Sequence, residues 1–419
     1  MSRLFLLHQG LVDRHSHYYG EALGWREACR EQGIAAHLYV NREADPALVA
    51  ELSAVPAFAH ATDAVLEPDK LCQPLADFIT VSESFAQGCR ALERDGIGGS
   101  DVAVVTYASE RDLYGAALWL ERLPAQQRPR LVFIFYQPDF GWTIDRERNR
   151  LDGDFSRMRY GMKRLRAVLP AGKLAVYATT IGLAKALEPI IEYPCGVCPM
   201  PTYYGAAGAF AAPGARDETR VNVRLAGEFR IEKGAELVVP AILRVAELRP
   251  GTSFALQVYR EDVARIVAEG LAPLDSGASR CVVEFGQLDH MAYQRRLVRS
   301  DILLLPYVWW RYALRSSGVF SEAVGFGLVT VVPDRTWMAD CLRNGWGAGV
   351  AFAEPTVEEI AQAVLAALDR YPALKEQAVR LSEVWRLRNC AARMIEQIIQ
   401  RTDIQGQPSG IGGRDYVIS

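Results

Sequence analysis

The sequence predicts an α/β protein in which two doubly wound, mostly parallel sheets follow one another along the chain. Short continuous apolar runs alternate with helix-type runs in both halves. Continuous apolar runs are typical of strands that helices cover on both faces. The 419 residues also favour two domains, because a single hydrophobic core rarely serves more than about 250–300 residues.

The same alternation begins afresh in each half. The runs expected to be strands are 4–7, 35–40, 102–107, 131–136 and 174–178 in the first half and 221–226, 254–259, 281–285, 302–305 and 329–332 in the second. Helix-type runs separate them, and a helix expected at 374–400 closes the pattern. Doubly wound sheets bind ligands at the carboxyl ends of their strands, so we expect the two domains to face a common cleft.

The alternation is interrupted at 203–220, where Gly, Ala and Pro are frequent and no periodicity is visible. Such a composition is typical of an interdomain linker. The expected division of the chain is a domain at 1–205, a linker at 206–220, a domain at 221–402 and a mobile tail at 403–419.

The composition excludes several classes of protein. The net charge is −3, so the chain as a whole is not a polyanion binder, and we expect no nucleic-acid partner. The opening apolar run is too short for a signal peptide, and no run reaches the roughly 18–20 apolar residues of a membrane span. These observations favour a cytoplasmic protein in which the eight scattered cysteines are mostly core thiols.

A basic turn follows the first strand of the second half. Residues 227–234 read GEFRIEKG and lie between an expected strand and an expected helix. Arg230 and Lys233 would stand beside the N–H groups of a helix start, an arrangement that suits a diphosphate. Taken alone, the turn is equally consistent with two solvated surface charges.

A second candidate segment, 311–332, follows the buried run DILLLPY. Ser316 and Ser317 are good helix N-caps, and Gly318 lets a ligand approach the backbone. The N–H groups of the helix start can bind a phosphate. Glu322, about one turn further on, can accept hydrogen bonds from two adjacent ribose hydroxyls, although a carboxylate at this place also simply favours the helix dipole.

From about residue 221 to 400, the chain resembles the donor domain of GT-B glycosyltransferases of the family-4 type. The matching stretches, in the family's order and spacing, are GEFRIEKG, DILLLPY, RSSGVFSEAVGFGLVTVV and the TWMA that follows. The resemblance implies that Arg230 and Lys233 clamp the donor diphosphate. It also implies that Ser317 and Gly318 add backbone donors and that Glu322 holds the ribose.

The resemblance further implies a GT-B architecture, two Rossmann-like domains facing a cleft, with a C-terminal helix beyond about Pro372 that packs back towards the first domain. The expected reaction moves a sugar from a nucleotide-diphosphate sugar to an acceptor hydroxyl, on a glycan or lipid-linked glycan in polysaccharide biosynthesis. Retention of the anomeric configuration is implied, without a dedicated general base. Cations and helix-end N–H groups can stabilise the leaving diphosphate, so we expect no metal and no cofactor.

The sequence departs from the family at two positions. The family often has a sugar-contacting glutamate eight positions before the ribose-binding one; Leu314 stands there, which leaves Arg315 or Tyr312 to read the sugar. Glu228 replaces an arginine that usually follows the turn's first glycine, and Arg230 is the candidate substitute. The missing glutamate motivates a second hypothesis, a catalytically weak relative that binds nucleotide sugar as a partner subunit. An epimerase or phosphorylase on this architecture is a third.

The first half resembles acceptor domains only in its alternation. Its most informative segment is the loop 8–20 (HQGLVDRHSHYYG), at the carboxyl end of the first strand. Asp13, His15 and His17 can transfer protons or bind sugar hydroxyls, and an inverting enzyme would take its base from them. Local hydrogen bonding in a helix-leading loop explains these residues equally well, and a zinc site lacks further matched ligands.

Three other segments each have two interpretations. Asp139, after the run LVFIFY, either meets the reacting sugar or caps a turn. The basic segment 146–166 is either a solvated face or an interfacial helix that makes peripheral contact with the inner face of the membrane. The pair Cys195 and Cys198 lacks the second pair that metal sites usually have, which favours structural thiols.

Overall fold

In the computed structural model the chain divides into two compact units. The described residues up to Pro201 and from Cys390 to Gln400 form the first unit, and the second runs from Thr202 to Asn389. The expected linker at 206–220, the tail at 403–419 and Asp139 lie outside the described residues. The structure describes residues 3–62, 64, 73–138, 143–145, 150–170, 172–205, 221–274 and 277–400.

The first unit is built on a seven-stranded parallel sheet. Its strands in spatial order are β3 (Val55–Phe58), β2 (Ala36–Asn41), β1 (Leu4–His8), β4 (Val102–Val105), β5 (Arg130–Phe135), β8 (Leu174–Ala178) and β9 (Cys195–Val197). Strands β6 (Thr143–Asp145) and β7 (Arg150–Asp152) form a separate antiparallel pair. The order reverses between β1 and β4, so the loops after these strands flank a topological switch point.

Every residue of β1, β4 and β5 is buried, which shows that both faces of the first sheet are covered, as in other parallel sheets flanked by helices. The helices that precede the second unit are α1 (His17–Glu31), α2 (Pro46–Leu52), α3 (Gln73–Gly88), α4 (Arg90–Arg94), α5 (Glu110–Leu120), α6 (Ser156–Val168) and α7 (Ile181–Ile191). Helix α1 begins at His17, within the loop 8–20 that the sequence singled out.

The second unit repeats this plan with six parallel strands. In spatial order they are β12 (Arg280–Phe285), β11 (Ser253–Val258), β10 (Asn222–Leu225), β13 (Ile302–Leu304), β14 (Val329–Pro333) and β15 (Gly349–Phe352). Its helices are α8 (Ala235–Leu248), α9 (Glu261–Leu271), α10 (His290–Val298), α11 (Trp309–Tyr312), α12 (Gly318–Gly325), α13 (Trp337–Arg343), α14 (Val357–Asp369) and α15 (Tyr371–Arg388). The switch point lies between β10 and β13.

The prediction of a single closing helix at 374–400 is wrong. The chain forms α15 and then a separate helix, α16 (Ala391–Gln400), because the two parts bury side chains in different cores. Trp385 of α15 packs in the second unit, whereas Ile395 of α16 packs in the first. The guanidinium of Arg130 on β5 also donates to the carbonyl of Ile398 at 2.6 Å.

Ile395→Ala is expected to lower the free energy of unfolding of the first unit by about 2–4 kcal/mol, because it removes a fully buried side chain from the core that α1 and α16 share. Urea unfolding, with hydrogen exchange of the α1 amides as the local probe, measures the effect. Glu396→Ala, at the neighbouring half-exposed position, is the control and should change stability by less than about 0.5 kcal/mol. Equal losses in the two variants would contradict this account of α16.

Candidate functional site

The basic turn after β10 and the loop after β13 are in direct contact. Gly234 has a φ of +75°, and a Cβ built on it would lie 2.0 Å from the carbonyl oxygen of Pro306. The amide of Val308 donates to the carbonyl of Glu232 at 3.0 Å. Only glycine tolerates both the positive φ and this close approach. The basic turn and the stretch DILLLPY therefore meet at the switch point of the second sheet.

Lys233 ends a 3₁₀ turn (Ile231–Lys233), and its ammonium group lies 5.9 Å from the centre of the Tyr307 ring. Burial, together with the positive charges of Arg230 and Arg315, lowers the pKa of Lys233 to about 8. Three predicted cations thus act on one small region. In the absence of an anionic ligand, the charged form of Lys233 is less stable there than in water.

A small cavity, partly open to solvent, lies against this turn. Arg230 and Lys233 both line it, together with Glu228 and Tyr307, and the other lining side chains are apolar. Arg230 forms ion pairs from its Nε with Glu228 at 3.3 Å and with Glu232 at 3.2 Å. The structure therefore brings together Arg230 and Lys233, the two residues predicted to bind the diphosphate. Arg230, however, already pairs with two carboxylates.

The first turn of α12 faces the same place. Gly227 has a φ of +93°, and a Cβ built on it would lie 3.2 Å from Nζ of Lys233 and 3.8 Å from Cγ2 of Val319. Ser317 is the N-cap of α12, and its hydroxyl accepts from the amide of Phe320 at 3.3 Å. The amides of a helix start, including that of Gly318, therefore lie near the basic turn.

Glu322 is buried in the same unit, and its Oε1 accepts a hydrogen bond from Nε2 of Gln294 at 3.2 Å. Burial raises the pKa of Glu322 to about 7, against the opposing effect of hydrogen bonds from Gln294 and Tyr293. Glu322 does not line the cavity beside the basic turn. Hydroxyl groups of a ligand would favour the ionised form of this carboxyl by donating to it.

Tyr259, directly after β11, links the two parts of the site. Burial raises its pKa to about 12; the charges of Glu228 and Glu322 raise it further, and Arg230 opposes them. The carboxylate on α12 and the groups of the basic turn therefore act on one tyrosine. All of them lie at the carboxyl ends of β10, β11 and β13, where doubly wound sheets bind ligands.

Leu314 and the two residues expected to read the donor sugar, Tyr312 and Arg315, have different surroundings. Leu314 is buried, so the position of the family's glutamate faces the interior. Arg315 lies with its guanidinium carbon 5.3 Å from the centre of the Tyr312 ring. Since Arg315 also acts on the pKa of Lys233, it belongs to the cluster of cations.

In the first unit, Asp13 and His17 have different neighbours. Oδ1 of Asp13 accepts from the amide of His15 at 2.8 Å and lies 3.6 Å from its Nδ1. His17 opens α1 and packs against Tyr18 and Tyr107, with ring centres 4.3 and 5.3 Å away. Both stand near the switch point between β1 and β4, on the loop that the sequence singled out.

Several solved structures share this architecture. HepE from Anabaena, in complex with UDP, gives a TM-score of 0.63 at 13% identity, covering 96% of this chain and 99% of its own. OtsA in its apo form gives 0.64 at 13% identity, covering 97% and 100%. The catalytic domain of starch synthase IV from Arabidopsis thaliana, bound to ADP and acarbose, gives 0.59 at 12% identity, covering 96% and 100%.

The chain has the GT-B fold. No protein-family model matches the sequence, and no curated protein is significantly similar to it. At these identities the likeness shows the fold alone, so membership of family 4 stays a prediction. The predicted α/β class and the two Rossmann-like sheets are confirmed.

The GT-B chain also has polar groups that its sequence did not reveal. Glu21 is buried on α1, where Oε1 accepts from the hydroxyl of Tyr136 at 2.6 Å and from Nε1 of Trp25 at 3.3 Å. Burial raises the pKa of Glu21 to about 7. The available signal was its place four residues before Trp25 on the apolar face of the helix. Gln294 gave no comparable signal.

The described residues also bear on metal binding and on membrane contact. Across the ranges that the structure describes, no group of three or more His, Cys, Asp or Glu side chains is arranged to hold a metal ion. No described helix is long and apolar enough to cross a membrane. On α6, Arg157 pairs with Glu110 at 3.0 Å and Arg164 pairs with Glu121. Part of the basic run is thus neutralised within the first unit.

Lys233→Met is expected to stabilise the ligand-free protein at pH 7 by about 1–2 kcal/mol, because it removes a cation whose pKa burial lowers to about 8. Between pH 8 and about 10.5, the native state binds fewer protons than the unfolded state, so the stability of the parent rises with pH in this window. The advantage of the variant should therefore shrink towards pH 10. Urea unfolding at pH 7 and pH 10 measures both values.

The matched control is Lys185→Met, on the exposed surface of α7. It should give the same difference from the parent at both pH values. A loss of stability in Lys233→Met that is equal at pH 7 and pH 10 would show that Lys233 contributes packing and carries no electrostatic penalty.

Proposed function

We propose that this chain is a glycosyltransferase that moves a sugar from a nucleotide-diphosphate sugar to an acceptor hydroxyl. The observation that carries the proposal is the cavity lined by Arg230 and Lys233 at the switch point of the second sheet, beside the start of α12. Cations and helix-start amides in one place are suited to a diphosphate. The HepE structure holds UDP and the starch synthase structure holds ADP, which agrees with this class of ligand.

The proposed chemistry uses the positive charges of the basic turn, of which that of Lys233 is disfavoured by burial. As the sugar leaves, negative charge develops on the diphosphate, and Lys233, Arg230 and the amides of Ser317 and Gly318 stabilise it. An anion next to Lys233 favours its charged form and so opposes the effect of burial on its pKa. Arg230 exchanges its carboxylate partners for phosphate oxygens. No metal or other cofactor enters this proposal.

The remaining roles complete the proposal. Glu322 accepts hydrogen bonds from the ribose hydroxyls, and Arg315 reads the donor sugar. Asp13 and His17 serve the acceptor, which is a glycan or a lipid-linked glycan in polysaccharide biosynthesis, and the transfer retains the anomeric configuration. The protein is cytoplasmic in this proposal. If the acceptor is lipid-linked, the exposed cations of α6 make a peripheral contact with the membrane.

A second candidate function is a catalytically weak homologue that binds nucleotide sugar as a partner subunit. Burial of Leu314 favours it, because no carboxylate from that position reaches a donor sugar. A thermal-shift screen with UDP-, GDP-, TDP- and CMP-linked sugars identifies the donor, since a ligand stabilises the native state that binds it. Turnover or slow hydrolysis of that donor, labelled in the sugar, supports the enzyme. Binding without turnover across a broad acceptor panel supports the subunit, and no stabilisation by any donor contradicts both.

Glu322→Ala is expected to weaken binding of the matching nucleoside diphosphate about 10- to 100-fold, because hydrogen bonds to a charged group contribute about 1.5–3 kcal/mol. Isothermal titration calorimetry at pH 8 measures the affinity, and circular dichroism checks the fold. Glu358→Ala, at an exposed position on α14, should leave the affinity unchanged. An unchanged affinity in Glu322→Ala would remove this residue from the ribose role.

Glu228→Gln is expected to tighten binding of the same diphosphate about 3- to 10-fold, because it removes a carboxylate that competes with phosphate for Arg230. The gain should fall with added salt. Glu247→Gln, which disrupts an ion pair with Arg244 on α8, is the matched control without effect on affinity. Weaker binding in Glu228→Gln would instead assign Glu228 a direct supporting role.

A further inference from the structure

Gln294 on α10 has no exposed surface and touches two groups that matter to the site. Its Nε2 donates to the carbonyl of Tyr203 at 2.6 Å and to Oε1 of Glu322 at 3.2 Å. A peptide carbonyl and a carboxylate are both acceptors, so the nitrogen of the amide must face them. These partners therefore fix the orientation of the amide.

The carbonyl of Tyr203 is itself held in place by the residues on either side of it. Oγ1 of Thr202 lies 2.7 Å from Oγ of Ser321 on α12. The ring of Tyr204 packs so closely on Gly325 that a Cβ built there would lie 2.1 Å from its Cε1. Gln294 thus spans two points on or against α12, the helix that carries Glu322.

We propose that Gln294 is a positioning residue for Glu322, which it holds towards the ribose of a bound nucleoside diphosphate by using the carbonyl of Tyr203 as a fixed anchor. This inference rests on the proposed function and adds to it the group that orients the ribose ligand. A donated hydrogen bond also favours the ionised carboxylate against the effect of burial. Loss of Gln294 should therefore change both the geometry and the protonation of Glu322.

The other ionisable groups whose charge interacts with Glu322 are tyrosines. Among the described residues they are Tyr293 on α10, Tyr259 after β11 and Tyr204, and burial raises the pKa of all three. None of them changes charge near neutral pH. Lys233 and the diphosphate itself do titrate close to this range. Their contribution to the pH dependence of binding is therefore measured in a variant without a carboxyl at position 322.

The test measures binding of UDP and ADP by calorimetry from pH 5.5 to 9. In the parent, affinity should fall as acid protonates Glu322 through about pH 7. Glu322→Gln should lack that step and retain only the contribution of the diphosphate and Lys233. Gln294→Leu should move the midpoint of the step up by about one pH unit and lower the affinity at pH 7 about tenfold.

Two further variants make the result decisive. Gln294→Met keeps nearly the size of the side chain but has no donor or charge, and it should move the midpoint up as far; it decides the matter if Gln294→Leu does not fold. Gln257→Leu replaces another buried glutamine, on β11, and should leave the midpoint in place.

The outcomes separate this inference from the proposed function. An upward shift in the Gln294 variants, absent from Gln257→Leu, supports a positioning role. A loss of affinity that is uniform with pH, with the midpoint unmoved, would reduce Gln294 to packing while Glu322 and the proposed function stand. If the parent binds neither UDP nor ADP, the titration is repeated with GDP and TDP. Failure to bind any of the four contradicts the proposed function, and the inference fails with it.

Discussion

The contact between Gly234 and the carbonyl of Pro306 is the constraint on which the site depends. It sets the basic turn after β10 against the loop after β13, at the point where the strand order reverses. A side chain at 234 would push these segments apart and separate Lys233 from Tyr307 and the start of α12. A backbone approach that only glycine permits thus converts two stretches, more than seventy residues apart in sequence, into one side of a cavity.

Two groups in the second unit, the half-buried Lys233 and the buried Glu322, carry unfavourable charges whose signs suit the two ends of the proposed ligand. Burial lowers the pKa of Lys233 and raises that of Glu322, so each is less readily charged than in water. A diphosphate would favour the charged lysine, and hydroxyl donors would favour the charged carboxylate. Opposite shifts of this kind are common where a protein trades stability for binding.

Much of the fold was predictable because it depends on periodicity, and the strand 174–178 lies where the apolar pattern predicts it. Ser317 caps α12 as its residue type predicts. Features that depend on tertiary packing were not predictable. The break between α15 and α16 arises because two different cores bury adjacent segments, and the link from Gln294 to Glu322 joins residues on separate helices.

The two departures from the family motif have opposite electrostatic effects. Glu228 adds a carboxylate at the phosphate end, and with Glu232 it offsets the charges of Arg230 and Lys233 within the turn. Leu314 removes a carboxylate from the position next to Arg315 and is itself buried. The excess positive charge of the site therefore comes from Arg315, assisted by the amides at the start of α12. A glutamate at 314 would have cancelled it, so the buried leucine offsets one of the two charge units lost where Glu228 stands in place of an arginine.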